Sequence, residues 1–226
     1  MNDALRAVVF DFSGTLFGRL PGHDWLFDSD TQAAPPPELR ARVVHALRHP
    51  AEFVDRMTPA QLRDWTDRDR SPEANHRAYG TLFRLAGLGD ADFARIYDRL
   101  GSAANWHAYE DTLPALERLA RAGVRVGVLS NISWDIREAF ARHGSDRYVA
   151  QYVLSYEEGR AKPDLELFRL AALRLGVAPE ECLMVGDDPV CDGAAPRVGM
   201  AFAEVATGPV GTRGPVLPEA LERYGW

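Results

Sequence analysis

Lysine is almost missing from this chain. Of its 26 basic residues, 25 are arginine and one is lysine, at position 162. A chain that uses arginine nearly everywhere keeps an ammonium where a compact point charge is needed and a planar guanidinium does not fit. Lys162 is therefore a candidate functional residue on composition alone. Cysteine is scarce as well. Cys182 and Cys191 are the only two, too few for a disulfide framework and without zinc-ligand spacing, so a reducing cytoplasm is the expected compartment. No apolar run approaches the roughly 18–20 residues that span a bilayer. The opening Met1-Asn2-Asp3-Ala4-Leu5-Arg6 carries an acid and runs straight into a short apolar segment, unlike a secretion signal. Net positive charge is lacking too: the chain carries −7 at pH 7. That excludes a broad nucleic-acid or anionic-membrane surface, while a local positive pocket for a small anionic substrate remains open. There are no repeats, and the only low-complexity tract is Pro35-Pro36-Pro37.

What is present is ordinary globular material: 226 residues, 46% hydrophobic and 26% charged, enough for a substantial core. Val8-Val9-Phe10 reads as a buried strand ending at Asp11, followed by the tight turn Phe12-Ser13-Gly14-Thr15. A helix over about 112–122, stopped by Gly123, leads into a strand over 124–129 that ends at Ser130-Asn131. Further helices are expected at about 134–142 and 164–175, a short helix at 193–198, and strands at 152–154, 182–185 and 200–205, before a Gly/Pro-rich tail from Thr207 that turns briefly helical. This alternation implies an α/β fold, a Rossmann-like parallel sheet with helices on both faces. The 108 residues between Thr15 and Val124 far exceed a crossover of about a dozen. Their helical periodicity at 38–47, 59–68, 72–85 and 90–100 implies an inserted all-helical cap over about 18–103, with residues 1–17 and 104–226 forming the core.

In an open α/β sheet, ligands bind at the carboxyl ends of the strands. There the chain places Asp11, Ser13, Gly14 and Thr15; then Ser130 and Asn131; then Asp187, Asp188 and Asp192; Lys162 falls in the same crevice. Carboxylates gathered so closely stay ionised only if a cation intervenes. An all-oxygen donor set of this kind suits Mg²⁺. A carboxylate held beside Mg²⁺ and a lysine can attack phosphorus to give an aspartyl-phosphate, and hydroxyls and turn amides can hold the transferring oxygens.

Residues 8–16, 129–131, 162–163 and 184–192 resemble, in order, the four motifs of the haloacid dehalogenase superfamily, and the insertion after the first motif resembles the C1-capped subclass. The resemblance implies that Asp11, in an Asp-x-x-Gly-Thr loop, is the nucleophile. It further implies that Ser130, with Asn131 beside it, holds the phosphoryl group and that Lys162 is the third-motif lysine. Mg²⁺ would be bound by Asp11, the backbone carbonyl of Ser13 and Asp187, with Asp188 or Asp192 in support. Gly14 and Thr15 would contact substrate.

One position departs from the pattern. Phosphatases of the family usually carry a second aspartate two residues after the nucleophile, where this chain has Ser13, a poor proton donor near neutrality. The favoured expectation is a Mg²⁺-dependent phosphohydrolase acting on a small, anionic metabolite as a monomer or homodimer. His23 and Asp24 are candidate substitute acids, Trp25 and Phe27 candidate entrance residues, and Arg40, Arg42 and Arg48 candidate anion contacts. Dehalogenation is the first alternative, since halide leaves without a proton. Family dehalogenases, however, use no Mg²⁺ and carry Ser and Asn where this chain has its acids. A phosphonatase would need a cap lysine that is absent. A non-catalytic binding module is the last alternative, against which stands the retention of Asp11, Lys162 and Asp187 together.

Overall fold

The apolar run near the N-terminus becomes the middle of the sheet. The structure is a computed structural model that describes residues 5–27 and 34–226; Met1–Ala4, part of the N-terminal reading above, and positions 28–33 of the insertion lie outside the described residues. Among the described residues the strands are β1 (Ala7–Phe10), β2 (Phe17–Gly18), β3 (His107–Ala108), β4 (Arg125–Ser130), β5 (Gln151–Leu154), β6 (Cys182–Gly186) and β7 (Ala201–Glu204). Five of them form one sheet in the order β5-β4-β1-β6-β7, every pair parallel. Period-two alternation explains the burial. Val8, Phe10, Leu183 and Val185 face one core cluster, and Ala7, Val9, Cys182 and Met184 face the other. Phe10 is level with both Val128 and Val185, so Asp11, Ser130 and Asp187 emerge at one edge.

The helices are α1 (Pro37–Arg48), α2 (Ala51–Val54), α3 (Pro59–Asp67), α4 (Pro72–Leu85), α5 (Asp90–Gly101), α6 (Thr112–Arg121), α7 (Arg137–Arg142), α8 (Ser155–Glu158), α9 (Leu165–Leu175) and α10 (Leu217–Glu222). Local chemistry sets many of their ends. Thr58 and Gln61 form a capping box before α3, Ser71 caps α4, and Asp164 caps α9, which Gly176 closes in the left-handed conformation. Helices α1 to α5 fall in the segment read as the insertion and enclose their own cluster, including Leu26, Val43, Phe53, Leu82 and Phe83. The chain leaves for this layer along β2 and returns along β3. The two pair antiparallel, Phe17 with Ala108.

One local expectation needs correction. The helix expected from Trp134 begins at Arg137, because the Asp135 carboxylate accepts the Arg137 amide at 2.9 Å and holds the preceding residues in a bend. The one-turn helices α2 and α8 are too short to show a periodicity in the sequence. The tail from Thr207 turns helical at α10, as expected, and joins the core: Leu217 is buried there and α10 packs on α6.

Candidate active site

Asp11 leaves β1 with its amide donating to the Val185 carbonyl at 2.9 Å, so the sheet fixes its backbone. Lys162 reaches the same point from the loop before α9. Its Nζ donates to Asp11 Oδ1 at 2.6 Å, Asp192 Oδ1 at 2.5 Å and the Leu129 carbonyl at 3.0 Å, using all three ammonium protons. Asn131 clamps the lysine backbone: its Oδ1 accepts the Lys162 amide at 2.7 Å and its Nδ2 donates to the Lys162 carbonyl at 2.9 Å. Asp187 is oriented by Thr15, whose hydroxyl donates to its Oδ1 at 3.1 Å. Asp11, Asp187 and Asp192 each place an oxygen within 4.8 Å of the others.

Three carboxylates thus cluster at one ammonium, which pairs with two of them, Asp11 and Asp192. Burial holds the Asp11 carboxyl up at about 7; the attraction of Lys162 opposes this, while the charges of Asp192 and Asp187 reinforce it. Asp187 is also held above the usual carboxylate range, chiefly by burial. For Lys162, burial opposes the charged form, yet Asp11 and Asp192 outweigh it and hold the ammonium firmly protonated. An excess of buried negative charge presented only through oxygens fits a hard divalent cation such as Mg²⁺.

The remaining expected residues are placed as follows. Ser13 is exposed and Ser130 buried at the end of β4. Thr15 and Asn131, expected to meet substrate, use their side chains on Asp187 and Lys162. Gly14 has φ +89°, and a Cβ there would sit 2.7 Å from Thr207 Oγ1 and against the Asp187 carboxylate, so the turn demands glycine. A Cβ on Gly186 would lie 2.6 Å from Asp192 Cβ. Asp188 stands apart from the three clustered acids. Its Oδ1 accepts the amides of Val190 and Cys191 at 2.8 and 2.9 Å, and these bonds override desolvation to hold its pKa below the usual range. Cys182 is buried in β6, as its apolar neighbours imply, and Cys191 is half-buried with its Sγ 4.0 Å from Asn131 Nδ2.

A cleft of about 300 Å³ opens at this centre, and Ser13, Asp187, His23, Trp25 and Arg48 are among its lining residues. Of the loop residues singled out from sequence, His23 and Trp25 line it, whereas Phe27 is buried in the insertion's own cluster. Asp24 and Arg40 are not among the lining residues, and Arg42 donates to the Ala86 carbonyl at 3.1 Å instead.

Sequence reasoning missed the braces. Arg213, from the tail, donates through Nη1 to the carbonyls of Gly14 and Thr15 at 3.2 and 3.0 Å and through Nη2 to Asp111 at 2.6 Å. Its guanidinium lies 3.5 Å from the centroid of the Tyr109 ring, and Asp111 also accepts the amides of Val216 and Leu217. The loop after Asp11 is thereby tied to the C-terminal segment. Ser133 and Ser155 donate to the carbonyls of Arg68 and Asp69, pinning the α3–α4 turn to the edge of the sheet. None of these contacts carries a motif or a periodicity. A lone arginine in a Gly/Pro-rich tail was the only available signal.

The comparisons with known proteins agree with this geometry. A family model described as haloacid dehalogenase-like hydrolase matches residues 5–198. Haloacid dehalogenase-like hydrolase domain-containing protein 3 of Xenopus laevis is 33% identical over 52% of this chain; the match spans 51% of that relative, about half its length. Glyceraldehyde 3-phosphate phosphatase of Methanopyrus kandleri is 36% identical over 90% of this chain and 85% of its own. Among solved structures, L-2-haloacid dehalogenase from Xanthobacter autotrophicus has the same fold, with a TM-score of 0.65 and 23% identity over 89% of this chain and 77% of that one. With the motif order of the sequence, the parallel sheet and the buried Asp–Lys–Asp centre on the page, this chain belongs to the haloacid dehalogenase-like hydrolase family.

Proposed function

We propose that this hydrolase is a Mg²⁺-dependent phosphomonoesterase that acts on a small phosphorylated metabolite through an aspartyl-phosphate at Asp11. The observation that carries this reading is the clustering of Asp11, Asp187 and Asp192 beside a single ammonium that pairs with Asp11 and Asp192. Mg²⁺ held by Asp11, the Ser13 carbonyl and Asp187, with Asp192 in support, would neutralise charge on the transferring oxygens. Lys162 fixes one oxygen of Asp11 and leaves the other to attack phosphorus. Ser130 and the turn amides after Asp11 hold the phosphoryl oxygens. Water then attacks phosphorus, breaks the acyl-phosphate bond and restores the carboxylate.

Ser13 cannot supply the proton that an alkoxide leaving group needs, so another group in the cleft takes part. His23 lines that cleft: its imidazolium form would protonate the leaving oxygen, and the neutral imidazole left behind would then take a proton from the attacking water in the second step. Burial and the charge of Arg48 lower its pKa, which favours the base that the second step needs. Helices α1 to α5, within 18–103, act in this reading as a cap over a core of 1–17 and 104–226. The cytoplasm is the proposed location, in keeping with the two free cysteines. Dehalogenation is the second reading that the relatives raise, but displacement at carbon gives Asp187 no task. The test is a panel of phosphomonoesters and short 2-haloacids assayed with Mg²⁺ and with chelator, against an Asp11→Asn control. Mg²⁺-dependent phosphate release that vanishes in the control is expected. Halide release indifferent to chelator refutes the proposal.

A further inference from the structure

The cleft is lined by groups of opposite charge. Asp187 is the one carboxylate among the described lining residues, and Arg19 and Arg48 bring two positive groups to the same cleft in a chain of net charge −7.

Arg19 is the unusual member. Its guanidinium lies between two indoles, 3.6 Å from the Trp106 ring centroid and 4.4 Å from that of Trp25. Its Nη2 donates to the Leu100 carbonyl at 2.5 Å, while Nη1 is buried with no hydrogen-bond partner. No carboxylate among the described residues pairs with it. A cation removed from water without a counter-ion is costly, and desolvation accordingly pulls the Arg19 pKa down to about 9. The two aromatic faces compensate only in part. Arg48, in the last turn of α1, likewise has no ion-pair partner among the described residues, and its charge is felt by His23. The family motifs account for neither arginine.

We infer that Arg19 and Arg48 form a second anion subsite, so that the substrate is a short phosphomonoester carrying a further anionic group, a carboxylate or a second phosphate, at the end remote from the reacting phosphorus. This rests on the phosphohydrolase reading. The phosphoryl group lies toward Asp11 and Asp187, and the second anion completes the arginine pair, with Trp25 and Trp106 holding the Arg19 guanidinium. The cleft of about 300 Å³ suits a small substrate.

The test compares three esters that differ only at the remote end: ethyl phosphate, phosphoglycolate and ethylene glycol bisphosphate. With charge-assisted bonds to arginine, kcat/KM should favour one or both doubly anionic esters over ethyl phosphate by about 10–100-fold. Which of the two leads distinguishes carboxylate from phosphate. Arg48→Gln, at an exposed position, and Arg19→Gln should each cut that ratio about tenfold or more, whereas Arg19→Lys should retain part of it. A ratio near one in the native protein, or a preference that survives both glutamine variants, overturns the subsite while leaving the phosphohydrolase intact. If no ester is turned over, the phosphohydrolase reading fails instead. Calorimetric binding of the three esters to Asp11→Asn then judges the subsite alone: equal affinity for ethyl phosphate and both doubly anionic esters overturns it.

Discussion

Replacing Lys162 by methionine keeps the length of the side chain and removes its charge. The Lys162 side chain is 3% exposed, and those of its partners Asp11 and Asp192 are 10% and 1% exposed, so no water can take the place of the ammonium. Removing one member of a buried ion pair costs about 3–5 kcal/mol, a large share of a typical stability of roughly 5–15 kcal/mol. Proton uptake limits the damage. Asp11 already titrates at about 7 with Lys162 present, and without it the folded-state value rises further. The folded variant then holds a proton that the unfolded chain, titrating near 3.8, has released. Its stability therefore falls as pH climbs above that lower value and through neutrality. Urea unfolding in chelator should show a deficit of about 3 kcal/mol or more at pH 8 and a smaller one at pH 5.5, with the m-value unchanged. Lys162→Arg keeps the charge but spreads it over a plane, where the site offers three acceptors around one nitrogen. Forcing it in should cost about 1–3 kcal/mol through overpacking and abolish turnover. A methionine variant within about 1 kcal/mol of the native protein at pH 8, or an arginine variant with near-native activity, would refute the reasoning.

Three further outcomes are expected. Ser13→Asp places a carboxyl at the exposed mouth of the site and should raise turnover of an alkyl phosphate by about 10²-fold; no gain in a folded, Mg²⁺-binding variant would leave proton transfer to His23. Arg213→Met strands the buried Asp111 carboxylate and frees the carbonyls of Gly14 and Thr15. It should cost about 3–5 kcal/mol in urea unfolding and lower kcat at saturating Mg²⁺, and native values of both would remove Arg213 from its role. Mg²⁺ must compete with the Asp11 proton, so its affinity, measured by calorimetry, should fall by about tenfold per pH unit below pH 7 and level off above it; affinity flat from pH 5.5 to 8 would show that Asp11 is not a ligand.

The sequence by itself determined the sheet, the order of the motifs and the identity of the central residues. Strand burial follows from local apolar runs, helix ends from local caps, and the importance of Lys162 from a compositional bias that needs no coordinates. The tertiary structure decided what each residue does with its side chain. Thr15 and Asn131 face protein partners, and Asp188 turns onto its own backbone, because orientation depends on acceptors brought in from distant segments. Arg213 reaches the loop after Asp11 from 198 and 199 positions along the chain. Arg19 is read as an anion site only once its guanidinium is seen against Trp25 and Trp106 with no carboxylate partner among the described residues. Periodicity and capping are interactions between near neighbours in the chain, and so they are written in the sequence. Charge pairing and desolvation act through space, and only the folded chain sets those distances.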